Sequence, residues 1–105
     1  QFLSARRVSE LLGVTQADLA RLVGVARNTL TARSGARKVD QALSPVVRIL
    51  AMATEMAGDE SRAAIWFKHQ PIPGWAGKTA YDLVGEGKAD KVLAYLEAVR
   101  SGVYA

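Results

Sequence analysis

A chain of 105 residues with no cysteine and a formal net charge of +4 is one domain, or one domain with a small appendage. The lack of cysteine excludes a disulfide framework and a thiolate zinc site, and no apolar run approaches the ~18 residues of a membrane span. A cysteine-free composition fits a reducing cytoplasm, and a start at Gln1 rather than Met suggests that the true N-terminus lies upstream. The charge is unevenly placed. Residues 1–42 carry seven basic and three acidic side chains, whereas residues 43–105 carry seven of each. The whole excess therefore sits in the first part, the electrostatic footprint of a polyanion partner.

Ser4 to Leu12 reads as a helix, with Val8, Leu11 and Leu12 on one face and Gly13 as its stop. Thr15 with Asp18 three residues later forms a capping box for a second helix. Leu19, Leu22 and Val23 face inward there, and small Ala20 admits a close neighbour. Gly24 supplies the positive φ of a tight turn, and a third helix follows over about 26–32, anchored by Val25 and Leu30. Residues 34–38 read as a loop and residues 39–42 as a short turn. Ser44-Pro45 then reads as an N-cap followed by proline at the first helical position, opening a helix from Pro45 to about Ala57. Gly58 ends it. Asp59 caps a helix to about Lys68, and residues 70–77 form a Pro/Gly loop. Thr79 with Asp82 caps a short helix that Gly85-Glu86-Gly87 breaks, and a last helix runs from about Lys88 to Ser101 before Gly102. No segment alternates with period two between turn signals, so the chain reads as all-α.

Gln16, Ala20, Gly24-Val25 and Leu30 at this spacing resemble the helix-turn-helix of Xre/Cro-type repressors. Arg27, Asn28, Thr29, Thr31 and Arg33 then point outward on the recognition helix. Arg grips guanine with two bonds, Asn suits adenine, and Thr reaches a phosphate or a thymine methyl. At the start of the second helix, Gln16 has a backbone or base contact implied by the resemblance. Arg33 followed at once by Ser34-Gly35 departs from the apolar or aromatic residue such repressors place there. Specific binding by so small a reader needs a two-fold dimer or larger assembly on paired half-sites. The plain alternative is a three-helix bundle that only packs on partners.

The second part carries Trp66-Phe67, Pro71-Ile72-Pro73-Gly74, Thr79-Ala80-Tyr81-Asp82-Leu83, Val92, Leu96 and Gly102-Val103-Tyr104-Ala105. This series resembles the toxin-binding domain of the Xre/MbcA/ParS antitoxin family, with the helix-turn-helix just upstream as in that family. Here residues 70–75 stand where the family carries an Asn-Pro-x-Leu-type loop. The resemblance implies an all-α chain with a helix-turn-helix bundle over 1–42 and a small helical toxin-binding domain over 43–105. It further implies a RES-domain, NAD-degrading toxin as partner, whose active site this chain blocks, and repression of the shared promoter as operator DNA-binding protein, in a homodimer or a higher hetero-oligomer with the toxin. The residues expected to meet the toxin are Trp75, Lys78, Arg100, Val103, Tyr104 and Ala105. If Ala105 ends the native chain, Tyr104 enters the toxin's NAD cleft and the terminal carboxylate meets a toxin cation; the bland reading has Val103 and Tyr104 pack back on the last helix.

Adjacent Trp66 and Phe67 cannot both face the core, because neighbouring helical positions diverge by about 100°. Trp75, on a Pro/Gly loop, is the better interface anchor. Arg48 and Arg62 stand within reach of Glu55 and Glu60 as surface ion pairs of little worth. His69 is the only histidine, so no metal site is expected. No nucleophile elbow, phosphate-cradling glycine loop or paired-carboxylate motif is visible, so the chain is expected to be no enzyme and to need no cofactor. Two other function classes fit less of the sequence: a free-standing Xre-type repressor whose second half only dimerises, and a pure interaction module with a vestigial helix-turn-helix.

Overall fold

The computed structural model of the chain describes residues 4–26 and 36–102, and the side chains of all of these except residues 36–38. Six helices occur among the described residues. α1 spans Ala5–Leu12 and α2 spans Gln16–Val23. α3 spans Ala36–Ala57, α4 Glu60–His69, α5 Ala80–Gly85 and α6 Ala89–Arg100. None is long and apolar enough to cross a membrane.

The helix ends follow from local chemistry. The Ser4 hydroxyl accepts the Arg7 N–H at 3.2 Å, and Gly13 leaves α1 in the left-handed region at φ 68°. Both expected capping boxes form. The Thr15 hydroxyl accepts the Asp18 N–H at 3.0 Å and the Thr79 hydroxyl accepts the Asp82 N–H at 3.2 Å. Each satisfies a backbone donor that a bare helix end leaves without a partner. Asp59 caps α4 by accepting the Arg62 N–H at 2.8 Å.

α3 corrects the sequence reading. Residues 36–57 form one helix of 22 residues, with Pro45 inside it rather than at its first position. Residues 36–38 are therefore helical rather than looped, and 39–42 are no separate turn. Proline has no N–H for the carbonyl four residues back, which here belongs to Gln41, an exposed residue. The apolar stripe decides the matter. Val39 and Leu43, ahead of the proline, are buried together with Val46, Ile49, Leu50 and Ala53 behind it, so the same face of one helix enters the core along its length.

α3, about 33 Å long at 1.5 Å per residue, is the spine. α4 and α6 pack on it, α5 packs on α4 and α6, and the α1–α2 pair closes the assembly through α1 on α4 and α2 on α5. Val8, Leu12, Leu19 and Leu22 of the first two helices belong to the same buried cluster as Phe67, Ile72, Leu83 and Val92. An exposed ion pair, Arg7 to Glu60 at 2.7 Å, also links α1 to α4. Fully buried Phe67 meets the Tyr81 ring edge-on, with centroids 6.0 Å apart.

Candidate functional site

Two regions come out of the fold. The first is the end of α2. Gln16 is its first residue, half-buried, and its side-chain Nε2 donates to the Ser9 hydroxyl at 3.4 Å. Asp18 is held by Thr15 and pairs with Arg21. These contacts, Thr15 first and Arg21 after it, keep the Asp18 carboxyl below its ordinary range. Arg27, Asn28, Thr29, Thr31 and Arg33, with the helix expected over 26–32, lie outside the described residues.

Charge within this part is sharper than its total suggests. Residues 1–26 hold three basic and two acidic side chains, and residues 27–42 hold four basic and one acidic. The arginines of residues 1–26 are each matched to a carboxylate: Arg6 with Glu10 at 3.3 Å, Arg7 with Glu60, and Arg21 with Asp18. By sequence, most of the net positive charge of this part therefore falls in residues 27–42, which include the segment expected as the recognition helix.

The second region is built around α6, and it has two ends. At the first end the loop after α4 closes on itself. The Ile72 N–H donates to the Lys78 carbonyl at 2.8 Å, the Lys78 N–H donates to the Trp75 carbonyl at 3.0 Å, and Pro71 pairs with Thr79 as an isolated antiparallel bridge. Ala76 sits in the left-handed region at φ 55°, between Gly74 and Gly77, which are also left-handed. A non-glycine residue held there signals a backbone fixed by its surroundings. Trp75 is the aromatic expected from the sequence as an interface anchor. It is half-buried against the core, with Lys88 Nζ 5.4 Å from its ring centroid. Glu86 ties the loop to the start of α6, accepting Lys78 at 2.7 Å and Lys88 at 3.3 Å. The hydrogen bond from Lys78 is the main cause of a Glu86 carboxyl held below the usual range.

At the far end of α6 stands Arg100, paired with Glu97 at 2.7 Å and Glu55 at 3.9 Å. Beside it an apolar groove of about 210 Å³ runs between α3, α4 and α6, lined by Met56, Trp66, Tyr95 and Val99 among others. Val103, Tyr104 and Ala105 follow this end but lie outside the described residues. The twelve residues of α6 put about 18 Å between its two ends, so the structure does not bring Lys78 and Trp75 together with Arg100.

Sequence reasoning missed Glu86, Lys88, Met56 and Tyr95. The side-chain contacts of the first two join separate segments, and nothing in local spacing announces them. It also paired the wrong ions. Arg62 meets Asp59 at 3.6 Å, while Glu60 is taken by Arg7 and Glu55 by Arg100. Trp66 and Phe67 resolve as the 100° rule requires, with Phe67 inside and Trp66 half-buried at the groove. Among the described residues no group of His, Asp and Glu is arranged to hold a metal ion.

Comparison with known families gives two matches in tandem. Residues 1–48 match the Antitoxin Xre-like helix-turn-helix domain. Residues 52–102 match the Antitoxin Xre/MbcA/ParS C-terminal toxin-binding domain. No curated protein and no solved structure gives a significant match.

Proposed function

Because the chain belongs to the Xre/MbcA/ParS antitoxin family, we propose that it neutralises a RES-domain, NAD-degrading toxin and represses the promoter of the pair. The observation that carries this reading is the tandem order of the two matches, a helix-turn-helix followed by a toxin-binding domain. The chain acts by binding rather than by catalysis.

In this reading the toxin meets the α6 face. A protein interface of ordinary size covers about 800 Å² per partner, a patch about 30 Å across. One such patch takes in both ends of α6, so Trp75 and Lys78 at one end and Arg100 at the other serve a single partner. Val103, Tyr104 and Ala105, which follow Arg100 after Ser101 and Gly102, supply the segment that enters the toxin's cleft. Half-buried Trp75 works as a rigid anchor, since its ring is already fixed by Lys88 and loses little freedom on binding.

The DNA reading rests on the charge concentrated in 27–42. Arg27, Asn28, Thr29, Thr31 and Arg33 meet operator bases and phosphates, Gln16 joins them from α2, and two copies occupy paired half-sites. A free-standing repressor whose second half only dimerises gives residues 52–102 no use for the toxin-binding role that their family match supports.

The test is co-expression with the adjacent gene. Growth arrest by that gene, relieved by this chain and less well by Arg100→Ala or by bulky residues added after Ala105, is the expected result. Equal relief by all forms removes the α6 end from the interface. On the promoter, affinity falls with salt, and Arg27→Ala and Arg33→Ala each flatten the log–log slope by roughly 0.9 if each neutralises one phosphate.

A further inference from the structure

We infer that Ser9 is a positioning residue for the DNA contact of Gln16, an inference that rests on the DNA-binding reading above. Ser9 is the buried polar residue among the described ones, 5 % exposed, set beside Val8 in a face that is otherwise apolar. Packing alone asks only for alanine there. The hydroxyl spends its single proton inside its own helix, donating to the Arg6 carbonyl at 2.8 Å. Its lone pairs are then fixed in direction, and the Gln16 Nε2 donates to them at 3.4 Å.

The surrounding backbone makes this arrangement specific to Gln16. The Ser9 carbonyl accepts the Val14 N–H at 3.0 Å, which fixes the turn between α1 and α2 and so the distance between the two side chains. Capping of α2 is complete without Gln16, because Thr15 and Asp18 satisfy each other's backbone donors. The Gln16 amide is thus not needed for the helix end. An amide has two N–H groups and one carbonyl oxygen. The bond to Ser9 uses one N–H, leaving the other and the oxygen for DNA. A glutamine side chain otherwise samples many rotamers, and ordering it opposes binding. Ser9 selects the rotamer before DNA arrives.

The test is a double-mutant cycle on the full chain, Ser9→Ala, Gln16→Ala and both together. Affinity for the promoter fragment of the toxin–antitoxin pair is read by fluorescence anisotropy, and the thermal midpoint of each variant is recorded alongside. Ser9→Ala is expected to keep the fold and midpoint and to weaken DNA binding by about three- to tenfold, the range of one neutral hydrogen bond. In the Gln16→Ala background it adds nothing, because the group it positions is gone. A Ser9→Ala variant that binds like the parent while Gln16→Ala weakens binding overturns the inference and leaves the DNA reading intact. Effects that multiply in the double variant overturn it as well. Gln16→Ala without effect, with Arg27→Ala still weakening binding, removes Gln16 from the interface and the role of Ser9 with it. A parent chain that fails to bind the promoter overturns the DNA reading itself and this inference together.

Discussion

At the residue scale, neighbouring positions on one helix carry opposite weights. Phe67 is fully buried and Ile65, two residues before it, is 61 % exposed. Phe67→Ala is expected to cost about 3–5 kcal/mol in urea unfolding, and Ile65→Ala at most about 0.5 kcal/mol; comparable losses would place the core elsewhere on α4. Glu86 makes a different prediction. Its folded-state carboxyl titrates below the ordinary 4.5 because Lys78, and then Lys88, favour its charged form. A depressed folded value means that the stabilisation is present above the unfolded pKa and is lost as pH falls through the folded one. The parent chain should therefore exceed Glu86→Gln in urea midpoint at neutral pH, and the gap should close as pH drops below about 4.5. A gap that does not change with pH would show that the Lys78–Glu86–Lys88 contact does not hold in solution.

At the scale of elements, what was legible in the sequence was what is local. Ser4, Thr15, Asp59 and Thr79 mark helix starts because each cap bonds to a backbone N–H three residues away, and a pattern of that reach can be read off a string. Pro45 misled because the proline-at-N1 rule is also local, whereas the stripe from Val39 to Ala53 is held by the rest of the core. The Arg7–Glu60 pair and the Trp75–Lys88 contact were invisible for the same reason, since the fold alone makes those residues neighbours. The candidate site was read less well than the fold. Trp75, Lys78 and Arg100 were named from the sequence with no spatial relation between them; the fold sets them at two ends of α6, and the groove at Met56 was not seen. Pro45 also gives a test. An interior proline costs about 3 kcal/mol relative to alanine, and the position of Pro45 on a helix turn whose Gln41 is exposed lessens that cost. Pro45→Ala is expected to raise stability by about 1–3 kcal/mol. A loss instead would mean that a bend at Pro45 is required for α3 to serve both halves of the chain.

At the scale of the whole molecule, α1 and α2 share one core with the toxin-binding helices, and α3 runs unbroken between them. The two matched regions should therefore unfold together. Tryptophan fluorescence, from Trp66 and Trp75 in the second region, and far-ultraviolet dichroism, from all helices, are expected to give coincident urea transitions. An early dichroism change with fluorescence still native would mean that the helix-turn-helix end opens on its own. Under the proposed function, a shared core also gives toxin and operator a physical route to influence each other, because either ligand would stabilise the same folded body. The central claim is that this body neutralises an NAD-consuming toxin. Its most direct test is intracellular NAD in cells expressing the adjacent gene, alone, with the full chain, and with the chain cut after Gly102. The account predicts a collapse of NAD that the full chain prevents and the shortened chain does not. An adjacent gene that leaves NAD untouched, or a collapse that the full chain fails to prevent, would contradict it.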